Sequence, residues 1–425
     1  MHIIVIGAGL LGVSTAYFLK RNGAEVTVLE SDDAPAMGAS YGNGGYGQAS
    51  VADPWNAPGI NKVFLAAWMN SLSGRAEQSA FVARTRALPG LMPWGIKFLR
   101  HAKADIYLKH TIENSQLARY TRDVLEEIDD AEQFSYAKSD VGGLIIFRDD
   151  QSLAGYVELS KKVCANDMPY EVLDTDALVK KEPSLAGIRD VLVGAVHFPD
   201  DPAGNSRVFC EQLAEAATSR GATFKYGVAV SSIECRQSGV SIKTRGGEIR
   251  GDAVVVAAGT GSRQLVRPLG IRLPIAPAKG YSISVPMNDW RERPRHVIAD
   301  MGVHAGVNPM GDILRVAGTA EFAGMRPGIS EERIDYLVQL TAQIFPEFAM
   351  TINRDEIDPW AGFRPLSADG LPMLGSTNVD NVYLNTGHGG LGWSQAAGSG
   401  KAVADHIFGK SGAYDISEFS AGRFN

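Results

Sequence analysis

The sequence predicts an α/β fold of two interleaved domains. One is doubly wound on a parallel sheet and gathered from distant segments. The other is α+β and built on an antiparallel sheet. Three observations carry this reading. The chain opens on a strand–turn–helix–strand unit, "MHIIVIGAGLLGVSTAYFLKRNGAEVTVLES". Its middle, "FKYGVAVSSIECRQSGVSIKTRGGEIRGDAVVVAAG", alternates with period two and ends on a continuous apolar run. Near its end, "YLNTGHGGLGWSQAAGSGKAVADHI" repeats the plan of a glycine-rich turn entering a helix.

His2–Ile6 is a short β-branched run, as a buried parallel strand should be. Gly7-x-Gly9-x-x-Gly12 follows at once, and a helix runs from about Leu10 to Arg21, with Gly23 at its stop. Gly7 permits the tight turn, Gly9 lets backbone approach a pyrophosphate, and Gly12 lets helix and strand close up. The helix N-terminus, with Ala8, Leu10 and Leu11 around it, presents free N–H groups to the phosphates. Glu30 ends the second strand beside Ser31, where its carboxylate can accept from a ribose diol and repel a 2′-phosphate. This is a Rossmann-like fingerprint. By itself it does not separate FAD from NAD.

Segments from Ala57 to about Leu125 read as helical. "VGGLIIFRD" is a strand, and "VGAVHFPDDPAGNSRVFCEQLAEAATSRGA" is a strand, a turn and a long helix. Strands from "APAKGYSISV" to "LRVAGTAEF" precede the helix "SEERIDYLVQLTAQIFP". The expected division assigns 1–60, 196–275 and 356–425 to the cofactor domain. Segments 61–195 and 276–355 form the substrate domain.

Bulk properties narrow the function. The 425 residues carry a net charge of −7, which disfavours nucleic acid as a partner. Cys164, Cys210 and Cys235 include no C-x-x-C pair, so no zinc site, redox dithiol or disulfide framework is expected, and a reducing compartment fits. His197, His296 and His304 lack metal-ligand spacing. With a strand starting at His2, no signal peptide is expected. No apolar run is long enough to span a bilayer. "NKVFLAAWMNSL" and "LPGLMPWGIKFLRH" are amphipathic and aromatic. Each could rest on a membrane surface, but packing on the protein's own core is the expectation.

"ASYGNGGYGQ", "PWNAPG", "KGYSISV", "RVAGTAEF", "GFRPLSADGLPMLG" and "NTGHGGLGW" occur in that order along nearly the whole chain. Together they resemble the bacterial D-amino acid dehydrogenase family of the D-amino acid oxidase superfamily. The resemblance implies FAD and oxidation of a D-amino acid to an imino acid, which hydrolyses to a 2-oxo acid and ammonia. It implies a quinone or other acceptor for the electrons. With a reducing compartment, a cytoplasmic location is expected, with peripheral contact to the inner face of the membrane left open. The segment before "PWNAPG" is richer in glycine and tyrosine than the family pattern, which leaves side-chain specificity open.

On this resemblance the second turn meets a flavin. Gly387, His388, Gly389, Gly390, Leu391, Gly392 and Trp393 would lie along the ring, with the helix N-terminus facing the negative charge of its reduced form. Ala39 and Ser40 match positions near the pyrophosphate, Val230 a position at the adenine, and Ala258 and Gly259 a sheet edge close to the cofactor. The turn contains no cysteine, so non-covalent FAD is expected. Arg364 is the expected carboxylate clamp, since a guanidinium fork gives two parallel hydrogen bonds. Tyr281 is expected to assist it as a second catalytic residue. Tyr46, Gln48 and His388 complete the expected substrate pocket. No metal is expected. Two alternatives stay open: an amine oxidase or dehydrogenase acting on glycine, sarcosine, D-proline or D-hydroxyproline, and a non-catalytic FAD-binding subunit of a redox complex.

Overall fold

The computed structural model describes residues 1–73, 79–165, 167–236, 239–288 and 290–424. Its first sheet has six strands, in the order Met373–Ser376, Val382–Thr386, Ala253–Val256, His2–Ile6, Glu25–Leu29, Thr223–Lys225. Only the first pair is antiparallel. Apart from the edge strand Thr223–Lys225, these strands are buried almost throughout, because helices cover one face and a small antiparallel sheet packs on the other.

The two glycine-rich ends of the chain meet in this domain. Helix Leu10–Arg21 follows the first turn and helix Gly392–Ile407 follows the second. A Cβ on Gly400 would stand 2.6 Å from the Ser14 carbonyl carbon, and one on Gly398 would stand 2.4 Å from Thr121 Oγ1. The small residues of the last helix therefore let two other helices approach its backbone. Trp393, Tyr17, Phe18 and Phe209 fill the core around that crossing.

Among the described residues the second sheet has nine strands. Its site-forming part is the trio Asp358–Ser367, Ile275–Pro286 and Ile313–Phe322, paired antiparallel. Along Ile275–Pro286, Ala276 and Ala278 pack with Leu366 on one face. Tyr281, Ile283 and Val285 pack with Leu337 and Leu340 of helix Glu331–Ile344 on the other. Val230–Arg236, Gly239–Thr244 and Gly247–Gly251 form a small antiparallel sheet, as the alternation predicts.

Three segments lie across the expected domain boundaries. Gly194–Phe198, assigned from residue 196 to the cofactor domain, pairs with Gly143–Phe147 and Glu171–Leu173 in the second sheet. Asp358–Ser367, also assigned there, pairs along Ile275–Pro286. Helix Ala104–Glu132, assigned to the substrate domain, buries Leu117, Val124 and Ile128 in the core of the first. A buried apolar strand reads alike in either sheet, and an amphipathic helix does not say which core it faces.

Candidate active site

The first turn has the strained geometry that its sequence implies. Gly7 has φ 106°, and a Cβ there would lie 2.6 Å from the Ala257 carbonyl oxygen. A Cβ on Gly12 would lie 1.9 Å from the Gly7 carbonyl oxygen. The turn thus closes against Ala257 and Ala258, and Gly259 follows at φ 52°. The helix has no side-chain cap at Gly9. Ser40 Oγ instead accepts the Leu10 N–H at 3.1 Å, while Ala39 is exposed in the same loop and Leu11 packs partly buried on the core. Glu30 accepts from the Ala8 N–H at 2.6 Å and from Ser31 Oγ at 2.8 Å. The Glu30 carbonyl takes the Val228 N–H at 2.7 Å, which brings the start of Val230–Arg236 alongside.

In the second turn Gly387 has φ 86° and Gly389 φ 56°. These conformations, more than bare contact with a ring, call for glycine there. A Cβ on Gly390 would lie 3.3 Å from Trp55 Nε1. Helix Gly392–Ile407 starts after Leu391 with no side-chain cap, leaving the positive end of its dipole at the turn. His388 is buried, and its Nε2 is 2.9 Å from Ser399 Oγ. Burial drives its pKa down to about 3, so the imidazole is neutral at physiological pH. Its Nδ1 has no partner, nor has Ser367 Oγ across the same cleft, among the described residues. Trp393 points away from this cleft, edge-on to Phe209 and Tyr136 in the helical core.

Arg364 is tied to this turn. The Gly389 N–H donates to the carbonyl of Pro365, the next residue, at 3.0 Å, and His388 bridges to Leu366. The guanidinium carbon lies 5.6 Å from the centroid of the Trp55 ring, a cation–π arrangement. Arg364 Nη1 donates to the Thr319 carbonyl at 3.2 Å. That carbonyl is delivered by a bulge, where the register of Ile313–Phe322 slips opposite Lys279 and Tyr281 and Thr319 takes φ 68°. Beneath the guanidinium lies Gly280, where a Cβ would meet Nη1 at 1.9 Å. The partly buried guanidinium has its pKa lowered by desolvation to about 10, so it stays cationic at neutral pH.

Other expected pocket residues lie elsewhere. Tyr281 is on the opposite face of the sheet from Arg364, and its hydroxyl donates to Glu321 at 2.9 Å. The period of a strand accounts for this, since positions 278 and 280 face the site and 281 faces away. Tyr46 is packed under Gly143 and donates to Asp201 at 2.9 Å. Asp201 also accepts both backbone N–H groups of Ala49 and Ser50 and the Ser50 hydroxyl. Burial pushes its pKa up to about 6. Gln48 contributes its backbone N–H to Ser394 Oγ at 3.0 Å, holding this segment against the last helix. The structure adds Trp55, Gly280 and Thr319 around Arg364, and Asp53 in the cleft with Ser367 and Gly387–Leu391. Burial raises the pKa of Asp53, which accepts the Tyr107 hydroxyl at 2.8 Å. "PWNAPG" and "KGYSISV" marked the first two; a bulged carbonyl and a pair joined across 54 residues leave no local signal.

These features fit flavin adenine dinucleotide. The closed first turn and Glu30 suit a pyrophosphate and a ribose diol. The uncapped second helix, with the orphaned His388 Nδ1 and Ser367 Oγ, suits a flat ring with a polar edge.

Residues 2–406 match the family of FAD dependent oxidoreductases named DAO. A protein of Methylobacterium radiotolerans named D-amino acid dehydrogenase is 34% identical over 426 residues, covering 100% of both chains. D-amino acid dehydrogenase 1 of Mesorhizobium japonicum is 34% identical over 409 residues, 95% of each chain. Among solved structures, glycine oxidase from Geobacillus kaustophilus superposes with TM-score 0.75 at 20% identity, covering 99% of this chain and 97% of its own. L-proline dehydrogenase from P. horikoshii gives TM-score 0.75 at 18% identity, covering 100% and 97%. The architecture is therefore shared with these two solved structures, and the chain belongs to the DAO family of FAD-dependent oxidoreductases.

Proposed function

We propose that the protein is a D-amino acid dehydrogenase. It oxidises the Cα–N bond of a D-amino acid to an imino acid, which water converts to a 2-oxo acid and ammonia. The observation that carries this reading is the placement of Arg364. The Gly389 N–H bond to the Pro365 carbonyl and the His388–Leu366 bridge link the cation to the turn that would face the flavin.

FAD, when bound without a covalent link, supplies the hydride acceptor. The chain's own residues do the positioning. Arg364 holds the substrate carboxylate through its fork, and the Thr319 carbonyl and the Trp55 face fix the fork's angle. Trp55, Phe98 and Leu366 exclude water from the cleft. His388 stays neutral beside the ring edge and offers no competing charge. The electrons leave to a quinone or another acceptor.

Anaerobic mixing tests the reading. The yellow protein should bleach with D-amino acids and not with their L-enantiomers. Bleaching by glycine, sarcosine or D-proline alone would move the assignment to a narrower amine oxidase. Arg364→Lys should keep flavin and fold yet reduce slowly and bind weakly. Wild-type reduction by Arg364→Ala would remove the clamp from the mechanism.

A further inference from the structure

Asp53 is a deep carboxylate without a cation. It lines the cleft with Ser367, His388 and Gly389, yet stays partly exposed to the open space. Its Oδ2 accepts the Tyr107 hydroxyl at 2.8 Å. Its Oδ1 meets no donor from another residue among the described residues. Carboxylates that serve the fold are furnished differently. Asp201 takes the hydroxyls of Tyr46 and Ser50 and the N–H groups of Ala49 and Ser50. Asp369 has a cation of its own, Arg423. An acid this deep with one neutral donor lacks a partner.

The titratable groups that face it are neutral. Tyr107 comes from helix Ala104–Glu132 and Tyr156 from helix Asp150–Cys164, and burial raises both phenols far above their ordinary range. His388 of the same cleft is a neutral imidazole. The ring that the second turn suits gains negative charge on reduction, which the helix end favours and a carboxylate would oppose. The partner missing at Asp53 is therefore a cation. A zwitterionic amino acid brings one, and Arg364 already answers its carboxylate. Trp55 joins the two ends. Its ring centroid lies 5.6 Å from Arg364 Cζ, and it lines the cleft two residues after Asp53.

We propose that the Asp53 carboxylate receives the substrate's ammonium group and takes one of its protons. The N–H bond breaks, its electron pair stays on nitrogen, and the proton goes to Oδ1. The Cα–H then departs as hydride to the acceptor that FAD supplies, while the nitrogen lone pair forms the C=N bond. The iminium so formed takes water and gives the 2-oxo acid and ammonium. With water shut out, a carboxylic acid beside an amine replaces two buried charges, which favours the transfer. Tyr107 is a positioning residue, because its hydroxyl occupies Oδ2 and leaves Oδ1 for the ammonium. The proposal rests on the reading of Arg364 as the carboxylate clamp.

The test titrates the holoprotein's flavin spectrum with two unreactive ligands. One is 2-aminoisobutyrate, which has no Cα–H to lose. The other is isobutyrate, the same skeleton without the amine. Asp53→Asn should lose at least about tenfold in affinity for 2-aminoisobutyrate and nothing for isobutyrate, whereas Arg364→Ala should weaken both. Wild-type binding of 2-aminoisobutyrate should weaken as pH falls and Asp53, its pKa raised by burial, takes up a proton. In Asp53→Asn that limb should be absent. Tyr107→Phe removes a donor that favours the anion, so the limb should move to higher pH. Flavin reduction by a D-amino acid should be slow in Asp53→Asn at neutral pH and recover at alkaline pH, where the amine arrives neutral. Asparagine drops an unpaired charge, so the melting temperature should equal or exceed that of wild type; a fall would mark Asp53 as structural and overturn the proposal. Unchanged affinity of Asp53→Asn for 2-aminoisobutyrate, with Arg364→Ala still weak for both ligands, sinks Asp53 alone. Wild type that binds neither ligand and bleaches with no D-amino acid sinks the amine reading, and this proposal with it.

Discussion

Gly280→Ala tests the proposed carboxylate clamp without touching the arginine itself. The new methyl would be built 1.9 Å from Arg364 Nη1 and 2.4 Å from Cζ, where ordinary contact begins at 3.4 Å. The guanidinium must therefore withdraw by about 1.5 Å, the difference between contact and the built distance. It is the end of a flexible side chain, so the strand pairing of Gly280 with Gly362 survives. Gly280 has no left-handed φ, so alanine adds no backbone strain. The consequence falls on alignment. Displacing a positioning group by about 1 Å can cost on the order of a hundredfold in rate. Gly280→Ala should keep wild-type flavin content and melting temperature. In stopped flow its flavin reduction by the best D-amino acid should be slower by about that factor. Spectral titration with an unreactive carboxylic acid should show weaker binding. Reduction and titration both at wild-type values would refute the reasoning, because the guanidinium would have moved with no effect on the substrate.

Other outcomes test other parts of the site. Glu30→Gln weakens the acceptor at the second strand's end, an interaction of about 1.5–3 kcal/mol for a charged partner, and should yield largely apo protein by absorbance. His388 has a folded pKa of about 3 against 6.5 for the free side chain. The unfolded chain therefore takes up the proton first. Stability is unaffected above pH 6.5 and falls as pH drops from there towards 3. His388→Gln should flatten that part of the denaturation profile by a few kcal/mol. Arg423→Ala leaves the buried Asp369 carboxylate without its 2.6 Å partner and should cost about 3–5 kcal/mol in chemical unfolding.

The parts of this molecule legible in its sequence are those where one residue type is the only physical solution. Gly7 and Gly12 admit no Cβ, so the first turn was readable residue by residue. The helix Leu10–Arg21 follows from the same fingerprint and stands where it was expected. Arg364 drew notice because a cation flanked by Trp360, Phe363 and Pro365 is set apart from free solvent; the fold brings it beside the second turn, and its hold on a carboxylate is our proposal. Tyr281 was misassigned to the pocket because the motif "KGYSISV" conveys neighbourhood and not facing. One residue along a strand reverses the face, and only the register with Asp358–Ser367 fixes which side Arg364 takes. The domain boundaries were obscured for a related reason. Gly194–Phe198 is apolar throughout and could have joined either sheet.

The two amphipathic segments make the same point from the other side. Packing on the protein's own core was the natural expectation for "NKVFLAAWMNSL" and "LPGLMPWGIKFLRH", since amphipathic helices usually face inward. It holds for Phe64 and Phe98, which line an apolar slot beside Trp55, and for Trp94, which packs in the same cluster. It does not hold for Leu65, Met69, Met92 and Ile96, which face outward. A helix that is apolar on both sides has two surfaces to cover, and the core supplies only one. The site's water-excluding wall and the exposed face are therefore opposite sides of the same two helices. A polar substitution at Leu65, Met69 or Ile96 that leaves Phe64 and Phe98 in place should therefore leave the cleft intact, read as unchanged flavin content and melting temperature.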